Sequence, residues 1–101
     1  MNKKEKLAIS EIKQVAQELG KEYGVKNIYL FGSYAKNQAT NQSDVDLRID
    51  KGKIFGLFAL SAFRIALQKR LGKKVDLLTS DSLDKRFLHK IRSEEILLYA
   101  N

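Results

Sequence analysis

The chain has 101 residues, a formal net charge of +7 and no cysteine. This length predicts one domain over residues 1–101. The absence of cysteine excludes disulfides and thiolate metal sites, and the single histidine argues against a histidine-based zinc site. The charged first residues are unlike a signal peptide, and no apolar run is long enough to span a bilayer, so a cytoplasmic location is expected.

The positive charge has two interpretations. It is typical of a nucleic-acid-binding surface, and also of a solvated, lysine-rich surface. The lysines are scattered along the chain rather than interleaved with aromatic residues. This scatter favours the second interpretation, and nucleic acid remains a possible partner that is not favoured.

Hydrophobic spacing in the first half of the chain predicts one long helix and two strands. Gly32 and Ser33 interrupt the apolar run and predict a turn into a short helix. In chain order, the predicted elements are an amphipathic helix over residues 3–19, a strand over 25–31, a short helix over 34–36, a polar loop over 37–43 and a strand over 45–49.

The second half predicts two further helices and two strands. A helix over residues 54–71 is apolar on two stripes, one of which includes Leu57 and Leu60. The sheet can cover only one stripe, and the remainder is either covered by the first or last helix or exposed as a surface for a protein partner, with Leu57 and Leu60 as the candidate docking residues. Residues 74–78 predict a strand, residues 79–82 offer N-caps for a last helix, and residues 95–99 predict a final short strand.

The candidate chemistry lies in two neighbouring segments. Gly32 and Ser33 end a predicted strand, and such a turn presents backbone N–H groups that suit a phosphate. Asp44 and Asp46 lie one residue apart near the next strand and therefore point to the same face. Two carboxylates on one face repel each other unless a cation lies between them, and Mg²⁺ prefers such oxygen ligands.

These segments resemble a known signature. Residues 29–35 (YLFGSYA), followed by residues 43–47 (SDVDL) and later by residues 74–78 (KVDLL), are similar to the minimal nucleotidyltransferases of the DNA polymerase beta superfamily. The resemblance implies an α/β (α+β) fold in which helices flank a small mixed sheet. It also implies transfer of a nucleotidyl group.

The resemblance assigns roles to individual residues. It implies that Asp44, Asp46 and Asp76 are catalytic and hold Mg²⁺, with two ions expected. Gly32 and Ser33 would bind the triphosphate. Lys36 would contribute a positive charge where the family often has arginine, and Asn37 stands where the family often has glycine.

Other charged residues have simpler interpretations. Asp76 could instead be an exposed residue paired with Lys73 or Lys74. Arg48 could reach a phosphate, but an ion pair with Asp46 or Asp50 is favoured. His89 is expected on the surface, outside any site.

The resemblance also implies a reaction and a partner. Small stand-alone members of the family are often antitoxins that transfer AMP from ATP to a tyrosine of a HEPN-type toxin. The predicted function is therefore an Mg²⁺-dependent nucleotidyltransferase with such a partner. The alternatives are a non-catalytic antitoxin that masks its partner by binding, and a nucleotidyltransferase that modifies nucleic acid.

Overall fold

The helices and strands alternate along the chain and build one mixed sheet. The computed structural model describes residues 5–54 and 56–101. The elements are α1 (Ile9–Tyr23), β1 (Asn27–Phe31), α2 (Gly32–Ala35), β2 (Val45–Asp50), α3 (Gly56–Leu71), β3 (Val75–Thr79), α4 (Lys85–Arg92) and β4 (Ile96–Ala100). A 3-10 turn, Ser80–Ser82, follows β3.

The sheet has the strand order β3-β2-β1-β4. Strand β1 pairs antiparallel with both β2 and β4, whereas β2 and β3 are parallel and are joined by α3. A parallel pair needs such a long crossover connection. The mixed sheet with flanking helices confirms the fold class that the sequence predicted.

Alternation along β2 separates the two faces of the sheet. Val45, Leu47 and Ile49 have no exposed surface and belong to the hydrophobic core with residues of α1 and α3. The residues between them are polar and point to the opposite face. We call this opposite face the open face.

Several element boundaries differ from those predicted. Helix α1 begins at Ile9, after an extended Ala8 whose N–H donates to the Glu11 carboxylate, and it ends at Tyr23 before a left-handed Gly24. It therefore continues through Gly20, although the predicted helix ended at residue 19. Gly20 packs closely in the helix, because a Cβ there would lie 2.8 Å from the Tyr99 ring. The predicted start at residues 3 and 4 lies outside the described residues.

Helix α3 leaves part of its surface uncovered. Phe63, Leu67 and Leu71 are buried, and Phe63 packs against Tyr23 of α1 with tilted rings whose centroids are 5.3 Å apart. At the start of α3, Leu57 and Phe58 are 80% and 94% exposed. Both exposed residues lie in the first turn of α3, so burial differs along the helix, and each predicted stripe begins with an exposed residue.

The capping of the last helix was predicted at the wrong residues. Residues 79–82 were expected to supply the N-cap, but Ser80–Ser82 forms the 3-10 turn. The cap is Asp84, whose carboxylate accepts a hydrogen bond of 2.6 Å from the Arg86 N–H. Among the described residues, no helix has the length and apolarity needed to cross a membrane.

A buried arginine connects distant parts of the open face. Arg48 is 2% exposed, and its Nε and Nη2 donate to the two carboxylate oxygens of Glu95 at 3.0 and 2.6 Å. Its Nη1 donates to Ser80 Oγ at 2.5 Å, and its guanidinium lies 4.0 Å from the centre of the Tyr29 ring. The predicted ion pair with Asp50 is present at 3.6 Å, but the principal partner is Glu95.

Candidate active site

The strand register brings two of the predicted carboxylates side by side. Asp46 of β2 is the register partner of Asp76 of β3. Adjacent strands lie about 4.7–4.9 Å apart, and partners in register point to the same face. Asp46 and Asp76 are 30 residues apart in the sequence, so this pairing depends on the parallel crossover through α3.

The environment of Asp46 disfavours its negative charge. Burial raises the pKa of Asp46 to about 6 from its usual 3.8, and a hydrogen bond and the charges of Asp76 and Asp44 add to this effect. A carboxylate in this state is stabilised by a proton or by a cation. The pair therefore has the electrostatics of a cation-binding site.

Asp44 lies at the rim of the pair. It immediately precedes β2, is half-buried, and its Oδ2 lies 3.9 Å from Lys74 Nζ. The predicted alternative had Lys73 or Lys74 beside Asp76. Lys74 is near Asp44, Lys73 donates to the Asn41 carbonyl at 2.6 Å, and the pairing with Asp76 stays a prediction.

The donor set fits a hard divalent ion. Within residues 5–54 and 56–101, no three acidic or imidazole side chains stand close enough together to form a complete metal site. Mg²⁺ does not require one, because it is usually held by one or two carboxylates, with waters and substrate phosphates completing its shell. Asp46 and Asp76 supply such a pair. Ligation by all three aspartates stays a prediction.

Gly32 makes room for the Asp46 carboxylate. It directly follows Phe31, the β1 register partner of Asp46, and has a φ of +72°. A Cβ on Gly32 would overlap Asp46 Oδ2 and lie 3.0 Å from Asp46 Cγ. Glycine is therefore required both by the backbone conformation and by the neighbouring carboxylate.

The segment after Gly32 is shorter than a typical helix. Helix α2 begins at Gly32 itself and ends at Ala35, whereas the sequence predicted residues 34–36. Ser33 is half-buried beside Tyr34, a core residue whose hydroxyl accepts a hydrogen bond from the Leu7 N–H. Ser33 directly follows Gly32, the residue that lies against the Asp46 carboxylate.

Lys36 and Asn37 close the loop that follows α2. The Lys36 Nζ forms an ion pair of 3.2 Å with Glu94, so its charge is directed to the end of α4 in this structure. Asn37 has a φ of +58°. Asparagine tolerates this left-handed conformation and glycine prefers it, which explains why glycine suits this position.

Sequence reasoning missed two residues near the site. Glu95 holds Arg48, and Phe87 of α4 packs against Phe31 with ring centroids 6.2 Å apart. Neither residue lies in a recognisable motif. His89 is exposed on α4, as predicted.

The chain matches known proteins over most of its length. Residues 11–101 match the family described as Polymerase beta, Nucleotidyltransferase. A Methanocaldococcus jannaschii protein, provisionally named a protein adenylyltransferase, is 37% identical over 93 residues, which cover 88% of this chain and 95% of that protein. The protein adenylyltransferase MntA of Thermococcus cleftensis is 35% identical over 81 residues, which cover 76% of this chain and 82% of MntA.

A solved structure shares the fold. It is a complex of a tri-AMPylated Shewanella oneidensis HEPN toxin with an MNT antitoxin. The similar chain has a TM-score of 0.72 and 19% sequence identity, and the match covers 93% of this chain and 74% of that chain. At this identity the similarity concerns the fold alone.

Substitution of Gly32 by alanine should damage the site more than the fold. Gly32→Ala and Gly56→Ala both force alanine into a left-handed conformation, at +72° and +75°. Each should lose roughly 1–2 kcal/mol of stability, measured by urea unfolding. Only Gly32→Ala displaces the Asp46 carboxylate, because nothing lies within 4 Å of a Cβ at Gly56. Calorimetry should therefore show at least about tenfold weaker Mg²⁺–ATP binding for Gly32→Ala alone. Equal losses of binding in both variants would contradict this account.

The raised pKa of Asp46 predicts how stability depends on pH. The folded state binds this proton more tightly than the unfolded chain does, with a pKa of about 6 against 3.8. The metal-free protein should therefore gain stability as the pH falls from about 7 through 6 towards 4.

Asp46→Asn removes the charge, so it should stabilise the metal-free protein near pH 7.5 by about 1–2 kcal/mol, after allowance for solvent screening of a half-exposed group. Urea unfolding near pH 7.5 and pH 4.5 measures both effects, and the advantage of Asp46→Asn should shrink at the lower pH. Destabilisation by Asp46→Asn near pH 7.5 would refute the prediction.

Proposed function

Because the chain belongs to the polymerase beta nucleotidyltransferase family, we propose that it transfers AMP from ATP to a tyrosine hydroxyl of a HEPN-type toxin. It would thereby act as the antitoxin of a toxin–antitoxin pair in the cytoplasm, where ATP and Mg²⁺ are available. The observation that carries the proposal is the paired carboxylates of Asp46 and Asp76 beside Gly32. The names of the relatives and the AMPylated toxin of the similar complex support the donor and the acceptor.

The proposed reaction exchanges one phosphorus–oxygen bond for another. The tyrosine oxygen attacks the α-phosphorus of ATP, the bond to the bridging oxygen breaks, and pyrophosphate leaves. Two Mg²⁺ ions, when bound, would stabilise the charge on the attacking and leaving oxygens. Asp44, Asp46 and Asp76 would hold these ions, and Asp76 would accept the proton of the tyrosine hydroxyl.

Gly32, Ser33 and Lys36 would position the triphosphate. The absence of a side chain at Gly32 leaves room for the Asp46 carboxylate, and the Gly32 backbone would approach the phosphates. Ser33 would donate from its hydroxyl and N–H. Lys36 would first leave Glu94, and this costs little, because an ion pair between side chains that are 39% and 35% exposed is worth at most about 1 kcal/mol.

The partner would dock on the uncovered start of α3. Leu57 and Phe58 form an apolar surface there, which we call the α3 patch. Lys53, which is exposed and precedes the patch in the chain, adds a positive charge, whereas Lys51 is paired with Asp81 at 3.1 Å. An acidic helical partner with an apolar stripe fits both features. Leu60, which the sequence also suggested for docking, packs against the core instead.

The transfer reaction should depend on the aspartates. Incubation of the chain with its HEPN partner, ATP and Mg²⁺ should add the mass of one or more AMP groups to the partner, measured by intact-mass spectrometry. Asp46→Asn and Asp76→Asn should each lower the rate by at least about a hundredfold, because each removes a metal ligand. Glu22→Gln, which changes an exposed carboxylate of α1, is the matched control and should leave the rate unchanged.

Two outcomes would contradict the proposed activity. A stable complex without added mass, formed equally by the aspartate variants, would make binding the function. Nucleotide addition to RNA or DNA rather than to the partner, with steep salt dependence of binding, would make nucleic acid the substrate.

Charged substitutions in the α3 patch should weaken the complex without impairing the active site. Leu57→Lys together with Phe58→Lys should lower the affinity for the partner at least about tenfold, because both remove central apolar contacts. Binding of Mg²⁺–ATP by the isolated variant should not change. Leu97→Lys, at a 50% exposed leucine of β4, is the control. Unchanged co-purification of the double variant would exclude the α3 patch as the docking surface.

A further inference from the structure

An exposed aromatic ring lies close to the paired carboxylates. Phe87 of α4 is 40% exposed although it packs against another ring, that of Phe31. The ring centroids are 6.2 Å apart and the rings are nearly perpendicular, at 86°. The contact supports Phe87 from one side and leaves the rest of its surface accessible.

The register of the sheet locates this ring relative to the site. Phe31 is the partner of Asp46 across the β1–β2 pair and directly precedes Gly32. Partners across an antiparallel pair point to the same face, so the Phe31 ring lies next to the Asp46 carboxylate on the open face. Phe87 is therefore one side chain away from the residues proposed to hold metal and triphosphate.

The charge of α4 suits a phosphorylated ligand. Helix α4 contains no acidic residue. Its lysines and arginines are all exposed, and they are Lys85, Arg86, Lys90 and Arg92. A nucleoside triphosphate that approaches the carboxylates along α4 meets a positive surface and an accessible ring, and these are the two features that bind nucleotides without base-specific hydrogen bonds.

We propose that Phe87, supported by Phe31, is the residue on which the base of the bound nucleoside triphosphate stacks. The inference rests on the proposed function and adds a specificity-determining residue to it. Because every base has a π-face, stacking discriminates only weakly between adenine and guanine. Purines have a larger ring area than pyrimidines, so stacking favours purines. Selection of ATP over GTP would therefore come from its higher concentration or from the partner.

Comparison of the affinities for ATP and for inorganic tripolyphosphate separates the contribution of the nucleoside from that of the phosphates. Calorimetry with Mg²⁺ should show ATP binding about 5- to 50-fold weaker in Phe87→Ala, with tripolyphosphate binding unchanged. Phe87→Tyr keeps the ring and should bind ATP within about twofold of the wild type. Leu97→Ala, which truncates another half-exposed apolar side chain, should change neither affinity.

Three results would overturn the inference. Unchanged ATP affinity in Phe87→Ala would show that the base does not stack there. An equal loss for ATP and tripolyphosphate would show that Phe87 acts through the packing of α4. An unchanged ATP affinity with a raised KM for the protein acceptor would assign the ring to the acceptor. In each of these cases wild-type ATP binding persists, whereas a wild-type protein that binds neither ATP nor tripolyphosphate would contradict the proposed function itself, as would transfer to an acceptor other than the partner.

Discussion

The close approach of two carboxylates on adjacent strands is the constraint on which the rest of the structure depends. Asp46 and Asp76 are register partners on parallel strands, so their separation is set by the spacing of the sheet rather than by flexible loops. The parallel pairing requires the long crossover through α3, and the core beneath it holds the register because a shift of one residue would turn the apolar side chains to the open face. The fold thus supports an arrangement that is unfavourable in the absence of a cation, as the raised pKa of Asp46 indicates.

The nearby positive charges do not remove this unfavourable electrostatics. Arg48 lies two residues from Asp46 on the same face, but its guanidinium is held by Glu95, Ser80 and Asp50. Lys36 is paired with Glu94 at the end of α4. Lys74 lies 3.9 Å from Asp44, at a largely exposed position where an ion pair contributes little. The pKa of Asp46 is raised despite these charges. A metal ion and the phosphates that it carries are the ligands that best complement this arrangement.

Much of the site could be predicted from the sequence because its residues are close together in the chain. Gly32 and Ser33 end one strand, and Asp46 lies on the next, so local patterns predicted both. The partnership between Asp46 and Asp76 followed from the family resemblance, because the strand register depends on packing between distant segments. Glu95 and Phe87 could not be found in this way. Each acts on a residue about 50 positions away and belongs to no local pattern.

Element boundaries and exposure were predicted less well for a related reason. Helix α1 passes through Gly20 because the Tyr99 ring fills the space where a side chain would be, and this contact with β4 is invisible in the local sequence. Both apolar stripes of α3 begin with an exposed residue, Leu57 or Phe58, and only the positions of α1 and the sheet decide which part of the helix is buried. Hydrophobic periodicity predicts that a helix has apolar faces, but it does not identify the neighbour that covers each face.

The most direct test of the central claim is to locate the metal ion. Mn²⁺, a paramagnetic substitute for Mg²⁺, can be titrated into the ¹⁵N-labelled protein while the amide signals are followed by NMR. We predict that the signals of Gly32, Asp46 and Asp76 broaden first, whereas that of Gly56, at the opposite end of the sheet, persists. Broadening centred on other residues, or spread evenly over the exposed carboxylates, would show that the carboxylate pair is not the metal site.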